Sequence, residues 1–294
     1  STLILVRGLQ KGIEATVKVL MPTLFALLLA MVVYGIFEGN MGRALHFMFD
    51  FDLSAITGRV VLVAVGQAFF SIGVAMGLMM GFGAYLPRHI SIARSAVIIA
   101  VSDTFVAIVA GLAIFPIVFA NGLDPAEGPG LVFVSLPIAF GSVTGGIIFG
   151  TLFFILLFFA AITSVIGVVE PMIAYWEERS GLPRAAAAFL VCLSIFVLGM
   201  GTVFSFNLWS EWRPLASLER FADFGYFEIL EYLTSNIMMP LSGLLLAVFV
   251  GWLVKPEMIS AELQMKNPAL FRIWFWLLRW VAPISIALIL YSSL

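Results

Sequence analysis

Charge is what this sequence has least of. Only 11% of its 294 residues are Asp, Glu, Lys or Arg, whereas soluble domains carry roughly a quarter. With 62% hydrophobic residues and a mean hydropathy of +1.13, the chain cannot be a soluble globular domain and reads as a polytopic membrane protein. Its net charge of −2 and the lack of any basic run give nucleic acid nothing to bind. Cys192 is the single cysteine, which excludes an intrachain disulfide. The two histidines, His46 and His89, stand in separate polar segments and offer no zinc or haem spacing. Redox and transition-metal chemistry are therefore not expected. No His/Asp or Ser/Lys dyad stands at membrane depth either, so the chain is not expected to be an enzyme.

Long apolar runs are what it has instead. Bilayer-length stretches read as Val19–Phe37, Val60–Leu86, Ser95–Ala120, Ile147–Tyr175, Ala185–Phe206, Ile229–Val254 and Phe271–Leu294, a total of seven expected spans. The polar segments between them alternate in charge. Arg7, Lys11, Lys18, Arg88, Arg94, Arg179, Arg184, Lys255, Lys266, Arg272 and Arg279, the last near a helix end, fall on one side. Arg43, Arg59, Arg213 and Arg220 fall on the other. The richer side is expected to be cytoplasmic, which puts the amino terminus inside and the carboxyl terminus outside. Residues 121–146 then form an outer loop, in which the apolar LVFVSLPIAF predicts a short re-entrant or capping helix or, equally, a partly buried surface loop.

Three features are out of place in simple anchors. GQAFFSIGVAMG, Gly66–Gly77, carries Ser71, Gly73, Ala75 and Gly77 in mid-span. Glycine there costs about 1 kcal/mol per residue against alanine in a helix, and the run reads as an interrupted helix. Gly73, Gly77 and Gly81 at four-residue spacing also suit close helix packing. Asp103, in AVSDTFVAIVAG, stands at roughly 13 Å into its helix. A carboxylate at that depth needs compensation by a cation or a proton, or a hydrogen-bonded protonated state. Thr163 and Ser164, in FFAAITSVIG, can bond back to the preceding turn or, beside Ala160, present hard oxygens to a cation. Broken helices and mid-depth oxygen ligands together fit a secondary transporter.

At this level of detail the motifs resemble those of the neurotransmitter:sodium symporters, in particular the bacterial amino-acid-transporting members with eleven helices. The sixth-helix GQAFFSIGVAMG and eighth-helix LLFFAAITSVIGVVEPMIAY carry most of the likeness. RGLQKGIE with KVLMPTLF, SDTFVAIVAGLAIFP and LTSNIMMPLSGLLLA resemble parts of helices five, seven and ten. The resemblance implies an all-α inverted-repeat sodium symporter fold, of which residues 1–294 form a single transmembrane domain from the tail of helix four to helix eleven. A further N-terminal portion carrying helices one to four is then expected.

Residue by residue, the resemblance implies sodium ligands at Ser71 and Asp103 for a first site, and at Ala160, Thr163 and Ser164 for the helix-eight half of a second. Many members have asparagine where Asp103 stands, and the fixed charge here implies that chloride is not required. Phe70 matches a lid over the substrate; Ser71, Gly73, Met76, Ser164 and Val168 match pocket positions. Glu231 and Gln67 match an outer gate, Tyr85 and Glu178 an inner one. Read without the family, Glu231 and Glu178 are interfacial charges in water. Glu170 takes no role from the comparison. The implied function is sodium-coupled symport of neutral, hydrophobic or aromatic L-amino acids across the inner (plasma) membrane. The alternative is a non-transporting scaffold or sensor derived from a truncated transporter.

Overall fold

The computed structural model describes residues 1–50, 52–87, 89–125, 130–142, 145–265 and 267–293, with the backbone alone at 9–11, 75, 142 and 293. Arg88 and Lys266, two of the basic residues counted above, lie outside the described residues, as do 126–129 and 143–144 of the outer loop. The described residues are helical or irregular and contain no strand. Helices long and apolar enough to cross a membrane are α1 (Gly12–Glu38), α5 (Ile92–Ala120), α7 (Gly146–Ser180), α8 (Arg184–Ser205), α9 (Tyr226–Leu253) and α11 (Pro268–Ser292). Shorter helices are α2 (Met41–Phe49), α3 (Gly58–Ile72), α4 (Leu78–Ala84), α6 (Leu136–Ser142) and α10 (Pro256–Leu263). Together α3 and α4 occupy the stretch expected as one span from Val60 to Leu86. The protein is a multi-pass membrane protein.

Local chemistry sets the helix starts. Asn40 accepts the Arg43 N–H at 3.0 Å before α2, and Thr57 accepts the Val60 N–H at 3.3 Å before α3. Asn267 accepts the Ala269 N–H at 2.9 Å, with Pro268 in the first turn of α11. Between α7 and α8 the chain turns through Gly181, at φ 65°. The long helices expose apolar side chains such as Ile147 (82%), Phe196 (63%) and Val197 (62%), which suits hydrocarbon as the solvent.

Two compact units divide the contacts: Leu3–Ser54 with Ala100–Gly167, and Ala55–Ile99 with Val168–Leu294. The first has a core of Leu28, Met31 and Tyr34 from α1, Val109, Ala113 and Ile117 from α5, and Phe140 and Phe153 from α6 and α7. The Tyr34 ring stacks on Phe149 at 3.8 Å between centroids. Gly35 lets α1 approach α5, because a Cβ there would stand 3.3 Å from Pro116. The Asn40 N–H then donates to the Pro116 carbonyl at 2.8 Å. In the second unit the start of α9 is fastened to the end of α8: the Phe227 N–H donates to Ser205 Oγ at 3.1 Å. The Tyr226 ring lies over Gly201, where a Cβ would stand 2.6 Å away.

Candidate functional site

The interruption between α3 and α4 is made by two glycines. Gly73 takes φ 69°, ψ 28° and Gly77 takes φ 75°, ψ −11°, and a single 3-10 turn, Val74–Met76, joins them. The Gly73 N–H donates to the Phe70 carbonyl at 3.0 Å, and the Met76 N–H to the Gly73 carbonyl at 3.3 Å. Left-handed conformations cost other L-residues about 1–2 kcal/mol each, so a double reversal of this kind calls for glycine. The end of α3 and the start of α4 lose continuity of the α-ladder at mid-span and present helix-terminal carbonyls and amides there.

Gly81 has a different task. A Cβ on it would stand 2.7 Å from Pro171 Cγ, so it allows α4 to rest on the proline ring of α7. The three glycines at four-residue spacing thus divide into two for conformation and one for packing. Substitution should separate them. At Gly73 the expected order of damage is Asn least, then Ala, then Val, because Asn tolerates the left-handed region. At Gly81 it should follow volume, with Ala the mildest. Melting temperatures of the two series measure this, and the same order at both positions would contradict the division.

Beside the break lies a cavity of about 310 Å³. Gly66, Gln67, Phe69 and Phe70 line it from α3, Glu231, Ser235, Asn236, Met239 and Pro240 from α9, and Ile286 and Ile289 from α11. Glu231, Ser235 and Met239, at four-residue spacing, share a helix face, and the wider turn of the π-helical stretch Tyr232–Met238 brings Asn236 to it. Within it the Thr234 hydroxyl donates to the Leu230 carbonyl at 2.8 Å. Phe69 reaches its place because the facing residue is Gly243, where a Cβ would overlap the ring. The volume suits a small organic molecule. Gln67, Phe70 and Glu231, three positions drawn from the family pattern, therefore meet at one cavity. Ser235, Asn236, Ile286 and Ile289 join them without having been singled out in the sequence.

On α7 the Thr163 hydroxyl donates to the carbonyls of Ala160 at 2.9 Å and Phe159 at 3.1 Å. The local bonding expected of a mid-helix threonine is therefore present. The same bond keeps Thr163 Oγ1 and the Ala160 carbonyl oxygen adjacent, a separation at which one hard cation can take both. Ser164 follows and is exposed. Asp103 lies half-buried on α5; that helix begins at Ile92, three residues earlier than expected, so the carboxylate stands about 16 Å along it. Asp103 and Ala160–Ser164 fall in the first unit, Ser71 in the second. Met76 is half-buried and Gly73 buried, whereas Val168, Tyr85 at the end of α4 and Glu178 in the last turns of α7 are exposed.

Glu170, left without a role by the sequence, is 3% exposed. Both of its carboxylate oxygens accept from Arg184 Nη2, at 2.7 and 2.8 Å, and Arg184 Nη1 donates to Glu177 Oε2 at 3.2 Å. Arg184, counted above only as a basic loop residue, opens α8 just past the Gly181 turn. The spacing Glu170, Glu177, Arg184 was the available signal: i and i+7 share a helix face, and a tight turn can return the cation to it.

The model of the sodium:neurotransmitter symporter family matches residues 1–294. The chain belongs to this family. A protein of Haemophilus influenzae named "Uncharacterized sodium-dependent transporter" is 33% identical over 99% of this chain and 63% of its own length. The Bacillus subtilis protein named "Uncharacterized sodium-dependent transporter YhdH" is 31% identical over 98% of this chain and 63% of its own length. Among solved structures, MhsT in complex with L-phenylalanine superposes with a TM-score of 0.87 at 36% identity, covering all of this chain and 65% of that one. The chain thus has the all-helical fold of this transporter family, and it spans a little under two thirds of these relatives' length. These relatives are named for transport and not for an enzymatic reaction.

Proposed function

We propose that this chain is the larger part of a sodium-coupled symporter that moves neutral, hydrophobic or aromatic L-amino acids inward by alternating access. The observation that carries the reading is the double left-handed break at Gly73 and Gly77 beside a cavity lined by Phe70 and Glu231 among others. It is supported by membership of a family whose relatives here are named sodium-dependent transporters. The substrate class leans on the family pattern, which matches Gly73, Met76 and Val168 to pocket positions, with a thioether at Met76 that adapts to differently shaped side chains, and on Phe69, Phe70, Met239, Ile286 and Ile289 in the lining of the cavity itself. MhsT, the structural relative, is in complex with L-phenylalanine.

In this reading Ser71 and Asp103 hold one sodium, which touches the substrate carboxylate, so that each ligand raises the affinity of the other. Ala160, Thr163 and Ser164 supply half of a second sodium site, and release of that ion inward frees the transporter to reopen. The membrane potential contributes about 2.3 kcal/mol per sodium per 100 mV. Gln67 and Glu231 belong to the outer gate, Tyr85 and Glu178 to the inner one. The negative charge of Asp103 removes the need for chloride. The excess of basic residues in alternate polar segments supports an orientation with the first residue of this chain on the cytoplasmic side of the plasma membrane and the last outside.

The test is binding of a panel of radiolabelled amino acids to the complete purified protein, with sodium or with choline. Sodium-dependent retention of leucine, phenylalanine or tryptophan is expected, with glycine and glutamate weak. A flat response across the panel in both salts would remove the proposal.

A further inference from the structure

Arg279 lies within α11 rather than near its end, on the π-helical stretch Leu277–Val281. Its guanidinium carbon stands 4.8 Å over the Trp252 ring and 6.0 Å from the Phe275 centroid. The Trp252 indole N–H donates to the carbonyl of Arg279 itself at 3.2 Å, and Trp280 packs edge-on against Trp252 at 4.9 Å. Gly251 makes the approach possible, because a Cβ there would stand 3.2 Å from Arg279 Cα.

This cradle supports the cation but brings it no anion. Arg279 Nε is buried without a hydrogen-bond partner among the described residues. No described carboxylate forms an ion pair with the side chain. Cation–π contact offsets only part of the desolvation of a guanidinium at the edge of a bilayer, and an anion or water has to supply the rest.

The position points to where that anion sits. Trp252 stands one residue before the end of α9, and Lys255 follows. Trp252, Trp276 and Trp280 are about half exposed, as in an interfacial aromatic belt. Arg272, on the same face of α11 at i and i+7 from Arg279, is exposed and borders a shallow groove of about 370 Å³ with Ala269, Ile273 and Trp276. The neighbouring Ile273 and Leu277 are apolar and exposed.

We propose that Arg272 and Arg279, on either side of Trp276, form a binding site for the phosphate group of an anionic membrane lipid. The chemistry recognised is a phosphate monoanion, for which guanidinium forks are suited. The lipid is favoured over free phosphate because exposed Ile273, Trp276 and Leu277 adjoin the two cations and give acyl chains a surface. The site is separate from the cavity beside the broken helix and does not depend on which substrate that cavity takes.

The experiment is native mass spectrometry of the complete protein, delipidated in detergent and titrated with dioleoylphosphatidylglycerol, dioleoylphosphatidylcholine or inorganic phosphate. One tightly retained phosphatidylglycerol is expected, with weaker phosphatidylcholine binding. Arg279→Gln should weaken retention about tenfold and Arg272→Gln, an exposed position whose replacement leaves packing intact, severalfold. Arg94→Gln, on another helix, should leave it unchanged. Equal retention by both arginine variants and by Arg94→Gln would overturn the proposal. So would displacement of the lipid by equimolar inorganic phosphate, which would make the ligand a free anion, or phosphatidylcholine binding as tight as phosphatidylglycerol, which would reduce the site to an apolar contact.

Discussion

Arg184→Met is expected to destabilise the complete protein by about 3–5 kcal/mol, the cost of leaving one partner of a buried ion pair uncompensated. Glu170 carries the burden: its side chain is 4% exposed, and Arg184 supplies hydrogen bonds to both of its oxygens. The contact of Arg184 with Glu177, at 3.2 Å to a carboxylate 43% exposed, adds little by itself. Replacing both members, Glu170→Met with Arg184→Met, removes the isolated charge together with its partner and should recover most of the loss. Melting temperatures of the two single variants and the double variant form a cycle that isolates the pair. Additive losses would show that the two residues act independently.

The consequence extends beyond stability. Glu170 is followed by Pro171, whose ring receives Gly81 of α4, so the ion pair braces the surface on which the second half of the broken helix rests. Under the proposed function, that surface has to stay rigid for the break between α3 and α4 to keep its geometry. Arg184→Met should therefore lower transport more than the double variant does.

Much of this arrangement was legible in the residues themselves because hydrocarbon is an unforgiving solvent. Seven apolar runs of about 20 residues or more read as helices, since a strand crosses in about half that length and a helix satisfies its own backbone hydrogen bonds within the segment. The break was legible because Ser71, Gly73, Ala75 and Gly77 crowd one stretch at mid-span, where close packing alone would explain the glycine spacing but not the serine. The rest depends on features that periodicity does not record. The π-helical stretch Tyr232–Met238 brings Asn236, five residues on, to the cavity face with Glu231, whereas an ideal 3.6-residue turn would bring only Ser235 there. The Glu170 pair is closed by a residue beyond the Gly181 turn, so its cation looked like an ordinary loop charge. Arg279 likewise passed for a helix-end charge until its ring contacts placed it under Trp252. Gly81 and Gly73, identical in pattern, differ only in what faces them and in their dihedral angles.

Replacing Asp103 by alanine in the complete protein is expected to remove sodium-dependent amino-acid binding at the sodium concentrations that saturate the parent. A carboxylate about 16 Å along a membrane helix costs several kcal/mol unless a cation or proton balances it, and sodium takes oxygen ligands of this hard, anionic kind. Loss of one charged ligand at about 1.5–3 kcal/mol weakens sodium by about 10- to 100-fold. At sodium concentrations that saturate the parent but no longer the variant, amino-acid affinity then falls towards its sodium-free value. Asp103→Asn separates charge from coordination, because the amide keeps an oxygen in place without the negative charge. That variant should bind sodium more weakly than the parent but more tightly than Asp103→Ala, and its binding should become sensitive to chloride. Titrating sodium against a fixed radiolabelled amino acid, in chloride and in gluconate, reads both effects. Unchanged sodium affinity in Asp103→Ala would remove its role as a ligand, and chloride stimulation of the unsubstituted protein would show that the Asp103 charge does not replace the anion.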